Sequence, residues 1–210
     1  HGIAFPYMKC NLSDHGIGVS LIMRGPDLFR GGKVVEAMVS HIDVFPSLCD
    51  LLGIEAPGWL QGTSMLPILR GEASEINEAI YAEVTYHAAY EPKRAVRTRR
   101  WKYIGHYGGR HRPVLPNCDQ SLSKQLLLDH GLARRIVLEE ELYDLLYDPL
   151  ERRNLASDSA YAGELAEMRR HLQQWMEQTN DPLLAGFVPL PPGCRTDDPD
   201  GVHPDQARRV

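Results

Sequence analysis

No apolar run in the 210-residue chain approaches the roughly 20 residues a helix needs to span a bilayer, so the sequence offers no transmembrane segment. Nor is there a surplus of positive charge. Lys and Arg number 23 against 28 Asp and Glu, a formal net charge of -5, which removes the electrostatic case for nucleic acid or an anionic membrane as partner. The four cysteines (Cys10, Cys49, Cys118 and Cys194) match no zinc-ligand spacing and are too few for a disulfide scaffold, leaving the redox compartment open. Internal repeats are absent, and low complexity is confined to the Pro-, Gly- and Asp-rich tail after Asn180. An initiating Met is missing too. The chain begins at His1, so its start is expected to be a processing, cloning or cropping point, with any targeting segment upstream.

What is present can build a core: 43% of the residues are hydrophobic, ordinary for one large domain or a medium domain with an appendage. Residues 1–17 lack periodicity and read as an irregular loop, a common carrier of function. Gly18 to Arg24 reads as a buried strand closed by Gly25-Pro26, and Val34 to Val39 as a strand or the start of a helix. A helix is expected over Asp43 to Leu52, with Phe45, Leu48, Cys49 and Leu52 on its apolar face. Pro46 is tolerated in the first turn, Asp43 caps the start, and Gly53 ends it. A short helix is expected around Ser64 to Leu69. Residues 79–84, 94–98, 101–105 and 141–146 read as strands, the middle two joined by a turn at Arg99-Arg100. Tyr161 to Gln178 places Leu165, Met168, Leu172 and Trp175 on one helical face. The organisation expected is an α/β portion over 1–75, a small α+β subdomain over 76–180 with an antiparallel sheet and a packed helix, and an extended or partly disordered tail over 181–210.

Three segments, in order, resemble the sulfatase family of the alkaline phosphatase-like superfamily. The first runs from His1-Gly2-Ile3-Ala4-Phe5-Pro6 through Lys9-Cys10-Asn11-Leu12 to Leu21-Ile22-Met23-Arg24-Gly25-Pro26. It is similar to the family's Asp-Asn-Gly or Asp-His-Gly metal motif, basic residue and following strand. The second, Val39-Ser40-His41-Ile42-Asp43-Val44-Phe45-Pro46-Ser47-Leu48, looks like V-S-x-x-D-x-x-P-T-L. The third, Glu141-Leu142-Tyr143-Asp144 through Asp148-Pro149, Glu151 and Asn154-Leu155, resembles E-L-Y-D-L-x-x-D-P-x-E-x-x-N-L. The Ile3-Ala4-Phe5-Pro6 start and Glu83 to His87 are most similar to heparan N-sulfatases (sulfamidases) and their bacterial relatives.

The resemblance implies a C-terminal part of an alkaline phosphatase-like sulfatase fold. It further implies a hydrolase of sulfate esters or N-sulfamates on a sulfated sugar or glycan. His1 falls on the second position of the metal pair, so it becomes a ligand for a divalent cation. That cation is calcium by resemblance, with manganese suited to an imidazole ligand. Lys9 falls on the basic residue that contacts sulfate, where a fixed cation stabilises negative charge on the transferring group; it is both the catalytic and a substrate-binding candidate. Glu83, His87 and Arg94 fall where the subdomain borders the substrate pocket and are read as further substrate-binding residues. The competing readings are a frayed terminus for His1, a solvated surface lysine for Lys9 and a polar edge strand for the other three. Asp14 and His15 are read as loop structure or pocket rim. Arg97, Arg99, Arg100 and Lys102 form a basic cluster, either a solvated face or a contact for a polyanionic glycan. The tryptophans Trp59, Trp101 and Trp175 are read as packing residues.

The family's formylglycine arises from Cys or Ser in Cys/Ser-x-Pro-x-Arg, and that sequence occurs nowhere in the 210 residues. The resemblance therefore places the nucleophile upstream and implies that these residues alone turn over no sulfate. They would work with the remainder of their own chain or in a homo-oligomer. Two other functions fit the same residues: a phosphonate or phosphodiester hydrolase of the superfamily, and a non-catalytic glycan-binding or structural module.

Overall fold

Strand periodicity explains how the chain is arranged. The computed structural model describes residues 5–204 and the backbone of residues 208–209. Strands β1 (Ile80–Tyr86), β2 (Tyr90–Arg97), β3 (Trp101–His106) and β4 (Glu140–Asp144) form one sheet in that order. β2 with β3 and β3 with β4 are antiparallel, with Arg97 opposite Lys102 and Lys102 opposite Tyr143. Because side chains alternate between faces, Lys93, Ala95 and Arg97 of β2 share one face, and Arg94 and Val96 share the other.

The second face is covered by helix α5 (Ala162–Gln178), which buries Leu165, Met168, Leu172 and Met176 and packs on β2 and β3. Met176 takes the place expected of Trp175, which instead stacks on Tyr81 with ring centroids 5.0 Å apart. The first face is covered by the N-terminal loop. Leu12 of that loop is buried in a cluster with Ala95, Ile104, Tyr143 and Leu145. Every strand expected from the sequence beyond residue 78 is present. A helix that periodicity did not reveal, α4 (Leu122–Asp129), starts at Ser121, whose hydroxyl accepts the Lys124 N–H at 3.1 Å.

The third resembling segment does its work in β4 and the turn beyond it. Asn154 Oδ1 accepts the Leu142 N–H at 2.9 Å, Asn154 Nδ2 donates to Glu140 O at 2.8 Å, and Leu155 N–H reaches Leu142 O at 2.8 Å. That segment thus supplies backbone partners to β4 where another strand would otherwise be needed. Asp148 accepts the N–H groups of Arg152 and Arg153, and Glu151, at φ 51°, turns inward.

The tail docks on β1 and the turn after it as an arm. Tyr86 donates to Val188 O, Asp197 N–H and Thr196 Oγ1 both reach Ala88 O, and β5 (Thr196–Asp197) pairs with β6 (Arg208–Arg209). The prolines exclude long elements but not docking.

The chain divides into two compact units, residues 1–19 with 81–210, and residues 20–80. In the first, the short helix α1 (Asp14–Ile17) closes the N-terminal loop. The second unit holds α2 (Val44–Leu52) and α3 (Leu66–Arg70). Asp43 organises it: its carboxylate accepts the N–H groups of Ser40 and Thr63 and the Asn77 amide, at 2.7–2.8 Å. Gly53 ends α2 at φ 64°, the left-handed position expected of it. Two expectations fail here. Residues 18–24 and 34–39 form no strand, because a strand exists only through a ladder partner and no described segment supplies one. The apolar face of α2 is not a core face within this unit: Cys49 is buried, but Phe45, Leu48 and Leu52 are exposed because no element of the unit covers them. Trp59 is likewise exposed, touching Phe45 edge-on.

Candidate functional site

The N-terminal loop is a strained segment held in place at several points. Tyr7 and Cys10 adopt φ values of 69° and 63°, on either side of Lys9. Gly16 closes the loop against the Asn11 carbonyl. A Cβ there would lie 2.1 Å from that oxygen, so only glycine fits. Ser13 donates to Tyr7 O, and the Arg135 guanidinium lies 4.7 Å from the Tyr7 ring centroid. From the sheet, Lys93 donates to Asn11 Oδ1 at 3.2 Å while pairing with Glu91 at 3.0 Å.

The strongest anchor is an ion network under the loop. Lys102, fully buried, donates to Asp14 Oδ1 at 2.6 Å and Glu151 Oε1 at 3.0 Å. Arg97, opposite Lys102 in the sheet, also contacts the Asp14 carboxylate, at 3.1 Å. The basic cluster is therefore neither a solvated face nor a glycan contact at these two positions. Strand alternation points both side chains at the loop's carboxylate. Arg100 binds Asp144 at the end of β4 at 2.7 Å and stacks on Trp101.

Lys9 projects from the anchored loop, with its side chain 44% exposed and its ammonium held by Asp119 at 2.8 Å. The Asp119 carboxylate beside it raises the Lys9 pKa above the ordinary lysine value, keeping it cationic. Glu83 and His87 are exposed on and just after β1. Arg94 is 1% exposed, and its guanidinium is engaged inside the fold: Asp181 takes Nε at 2.5 Å and Nη2 at 3.0 Å, and the Val84 and Lys93 carbonyls take Nη1. Glu83 meets Arg94 Nε at 3.2 Å. The structure thus brings Glu83 and Arg94 together and gives Lys9 a different partner, Asp119. His1 lies outside the described residues. Among the described residues no group of three or more His, Cys, Asp or Glu side chains could hold a metal ion.

Sequence reasoning missed Asp119, 110 positions from Lys9 and in no motif. It also missed Glu151, which stands inside the third resembling segment and pairs with the buried Lys102.

The network predicts acid sensitivity. Burial alone would raise Asp14, but Lys102 and Arg97 hold it below the usual carboxylate range. Burial likewise opposes Arg94 and the Leu183 N–H at Asp181, and the net shift is again downward. Arg100 lowers Asp144. A carboxylate whose folded pKa lies below its unfolded value (about 3.9 for Asp) contributes its full stability above that value and loses it as pH falls through the folded pKa. The urea midpoint is expected to stay level between about pH 5 and 7 and to fall below about pH 4. A midpoint at pH 3 equal to that at pH 7 would contradict the pairing.

A solved structure described as a 2-O GAG sulfatase superposes with a TM-score of 0.52 at 30% identity, covering 77% of this chain and 31% of that one. The fold is thus that of the C-terminal part of an alkaline phosphatase-like sulfatase followed by a small α+β subdomain. Residues 5–115 match the family model for N-sulphoglucosamine sulphohydrolase, C-terminal, and the chain belongs to that family. Among curated relatives, a Delta 4,5-hexuronate-2-O-sulfatase of Bacteroides thetaiotaomicron is 33% identical over 89% of this chain and 34% of its own length. The N-sulphoglucosamine sulphohydrolase of Homo sapiens is 28% identical over 88% of this chain and 41% of its own. The chain therefore spans well under half the length of these relatives.

Proposed function

We propose that the chain is the C-terminal part of a hydrolase that removes sulfate, as an ester or N-sulfamate, from a sugar or glycan, with Lys9 facing the sulfate. The observation carrying this reading is the family match over residues 5–115, which includes the Lys9 loop and β1 to β3. The activities named for the two relatives, on N-sulphoglucosamine and on a 2-O-sulfated hexuronate, support a sulfated sugar as the substrate class.

The chain's own contribution is electrostatic. Lys9 is a charged donor held in place by an anchored backbone, and its surface carboxylate partner can be exchanged for a sulfate oxygen. A preorganised cation at that point stabilises charge that grows in the transition state. Glu83 and His87 are exposed and available to sugar hydroxyls, whereas Arg94 supports the strand beneath them. Among the described residues no group of three or more His, Cys, Asp or Glu side chains would hold the metal. A calcium ion, the alternative manganese with its His1 ligand, and a formylglycine nucleophile stay within the proposal.

The test is a substrate panel on the full-length protein that carries these residues: N-sulfoglucosamine, a 2-O-sulfated uronate disaccharide and a phosphonate monoester, with released anion measured by ion chromatography. Sulfate release from a sugar, and none from the phosphonate, is expected. Turnover of the phosphonate alone would replace the reading with the phosphonate hydrolase, and glycan binding without hydrolysis with the non-catalytic module. In the active protein, Lys9→Ala is expected to lower kcat/KM about 10- to 100-fold, roughly 1.4–2.7 kcal/mol.

A further inference from the structure

The Lys9–Asp119 pair is held from both sides. On the Lys9 side, the left-handed residues Tyr7 and Cys10 fix the backbone of the loop. On the Asp119 side, the turn Leu115–Asn117 is buried and tied down by two side chains. Asn117 Oδ1 accepts the N–H groups of Ala88 and Ala89, at 2.9 and 2.8 Å. Lys124, 1% exposed, directs its ammonium at three carbonyls: Leu115 O at 2.9 Å, Cys118 O at 2.8 Å and Val202 O at 2.7 Å. The Cys118 carbonyl belongs to the peptide bond that leads into Asp119. A buried cation thus sets where that carboxylate stands.

The pair itself is open to solvent. Its two side chains are 44% and 37% exposed, and both Asp119 oxygens lie on the Lys9 ammonium, at 2.8 and 3.0 Å. An exposed ion pair of this kind is weak, so an incoming anion can open it. Fixed backbones and a weak contact between them make Asp119 a counter-anion that is always at hand and always displaceable.

Charge separates substrate from product at this point. A sulfate ester or N-sulfamate carries one negative charge. Its hydrolysis breaks the bond from sulfur to the ester oxygen or amine nitrogen, and water supplies the new oxygen. The products at neutral pH are the alcohol and a released proton, or the ammonium that keeps it, together with inorganic sulfate, which carries two negative charges. An anion that sits on Lys9 lies beside Asp119, and its repulsion by that carboxylate grows in proportion to its charge.

We propose that Asp119 is a specificity-determining residue: it competes with sulfate for Lys9 and weakens the doubly charged product more than the singly charged substrate group. The role rests on the proposed function, which puts Lys9 on the sulfate. Its consequence is that sulfate leaves more readily than it would from an unpaired Lys9.

The test is isothermal titration calorimetry of the full-length protein that carries these residues, with inorganic sulfate as the dianion and methyl sulfate as the monoanion. Asp119→Asn keeps the shape and removes the charge. It is expected to tighten inorganic sulfate about three- to tenfold, and methyl sulfate no more than about twofold. Asp119→Glu, which keeps the charge, should stay within about twofold of the parent for both anions. Lys9→Met should weaken inorganic sulfate at least about fivefold. Asp119→Asn binding inorganic sulfate no tighter than the parent, tightening both anions equally, or matched by Asp119→Glu would overturn the role of Asp119 and leave Lys9 on the sulfate. Lys9→Met binding inorganic sulfate as tightly as the parent, or a parent that binds neither anion, would instead take the sulfate away from Lys9 and overturn both readings.

Discussion

Lys102→Met is expected to cost about 3–5 kcal/mol of folding stability. The substitution keeps the aliphatic stem and removes the charge from a fully buried position. Glu151, 4% exposed, then loses its cation, and its Oε2 already has no partner among the described residues. Asp14 keeps Arg97. The loss therefore falls mainly on Glu151, a buried carboxylate left with the Asp14 N–H at 2.6 Å but no cation among its described partners, and removing one partner of a buried pair is far more harmful than removing both. The double substitution Lys102→Met with Glu151→Leu is accordingly expected to recover most of the loss. Urea unfolding followed by circular dichroism measures both. A single-variant loss under 1 kcal/mol, or a double variant no better than the single, would show that packing and not charge holds this corner. Because the network lies under the loop that presents Lys9, the single variant also loosens the candidate site.

Elements whose signal is local were legible in the sequence. The strands of the sheet follow from short runs rich in β-branched and aromatic residues, α5 from period 3.6, and the end of α2 at Gly53 from the need for a left-handed residue. What did not follow was anything set by a distant partner. Residues 18–24 have the composition of a strand, yet composition cannot supply a ladder. Arg97 and Lys102 looked like a surface cluster because their neighbours in sequence are charged. Their neighbours in space, Asp14 and Glu151, come from segments 83 and 49 positions away. Lys9 was found through a motif, but its partner Asp119 belongs to none. Pro189, Pro191 and Pro192 read as precluding regular structure in the tail, yet the tail holds a 3-10 turn over Pro182–Ala185 and the short strand β5, and its docking on the β1–β2 turn depends on hydrogen bonds that pattern does not encode. Residue types and periodicity thus located the scaffold and the candidate cation, and long-range charge pairing decided which side chains remain available to a ligand.

That distinction separates Arg94 from Lys9 and sets the second expected result: Arg94→Met destabilises the fold by about 3–5 kcal/mol instead of acting first on ligand affinity. Asp181 is 2% exposed, and without Arg94 it retains only the Leu183 N–H, at 2.9 Å, among its described partners. Through this pair the guanidinium ties the residue just beyond α5 to the middle of β2, and through Nη1 it also holds the Val84 carbonyl of β1. Arg94→Lys keeps the charge but not the planar fork that serves two carboxylate oxygens and two carbonyls at once. It is expected to recover less than half of the loss. Glu83, at 59% exposure, contributes little to this balance, and Glu83→Gln should leave stability within about 0.5 kcal/mol of the parent. Arg94→Met unfolding at the parent's urea concentration, while binding a sulfated sugar more weakly, would reverse the assignment and return Arg94 to the ligand.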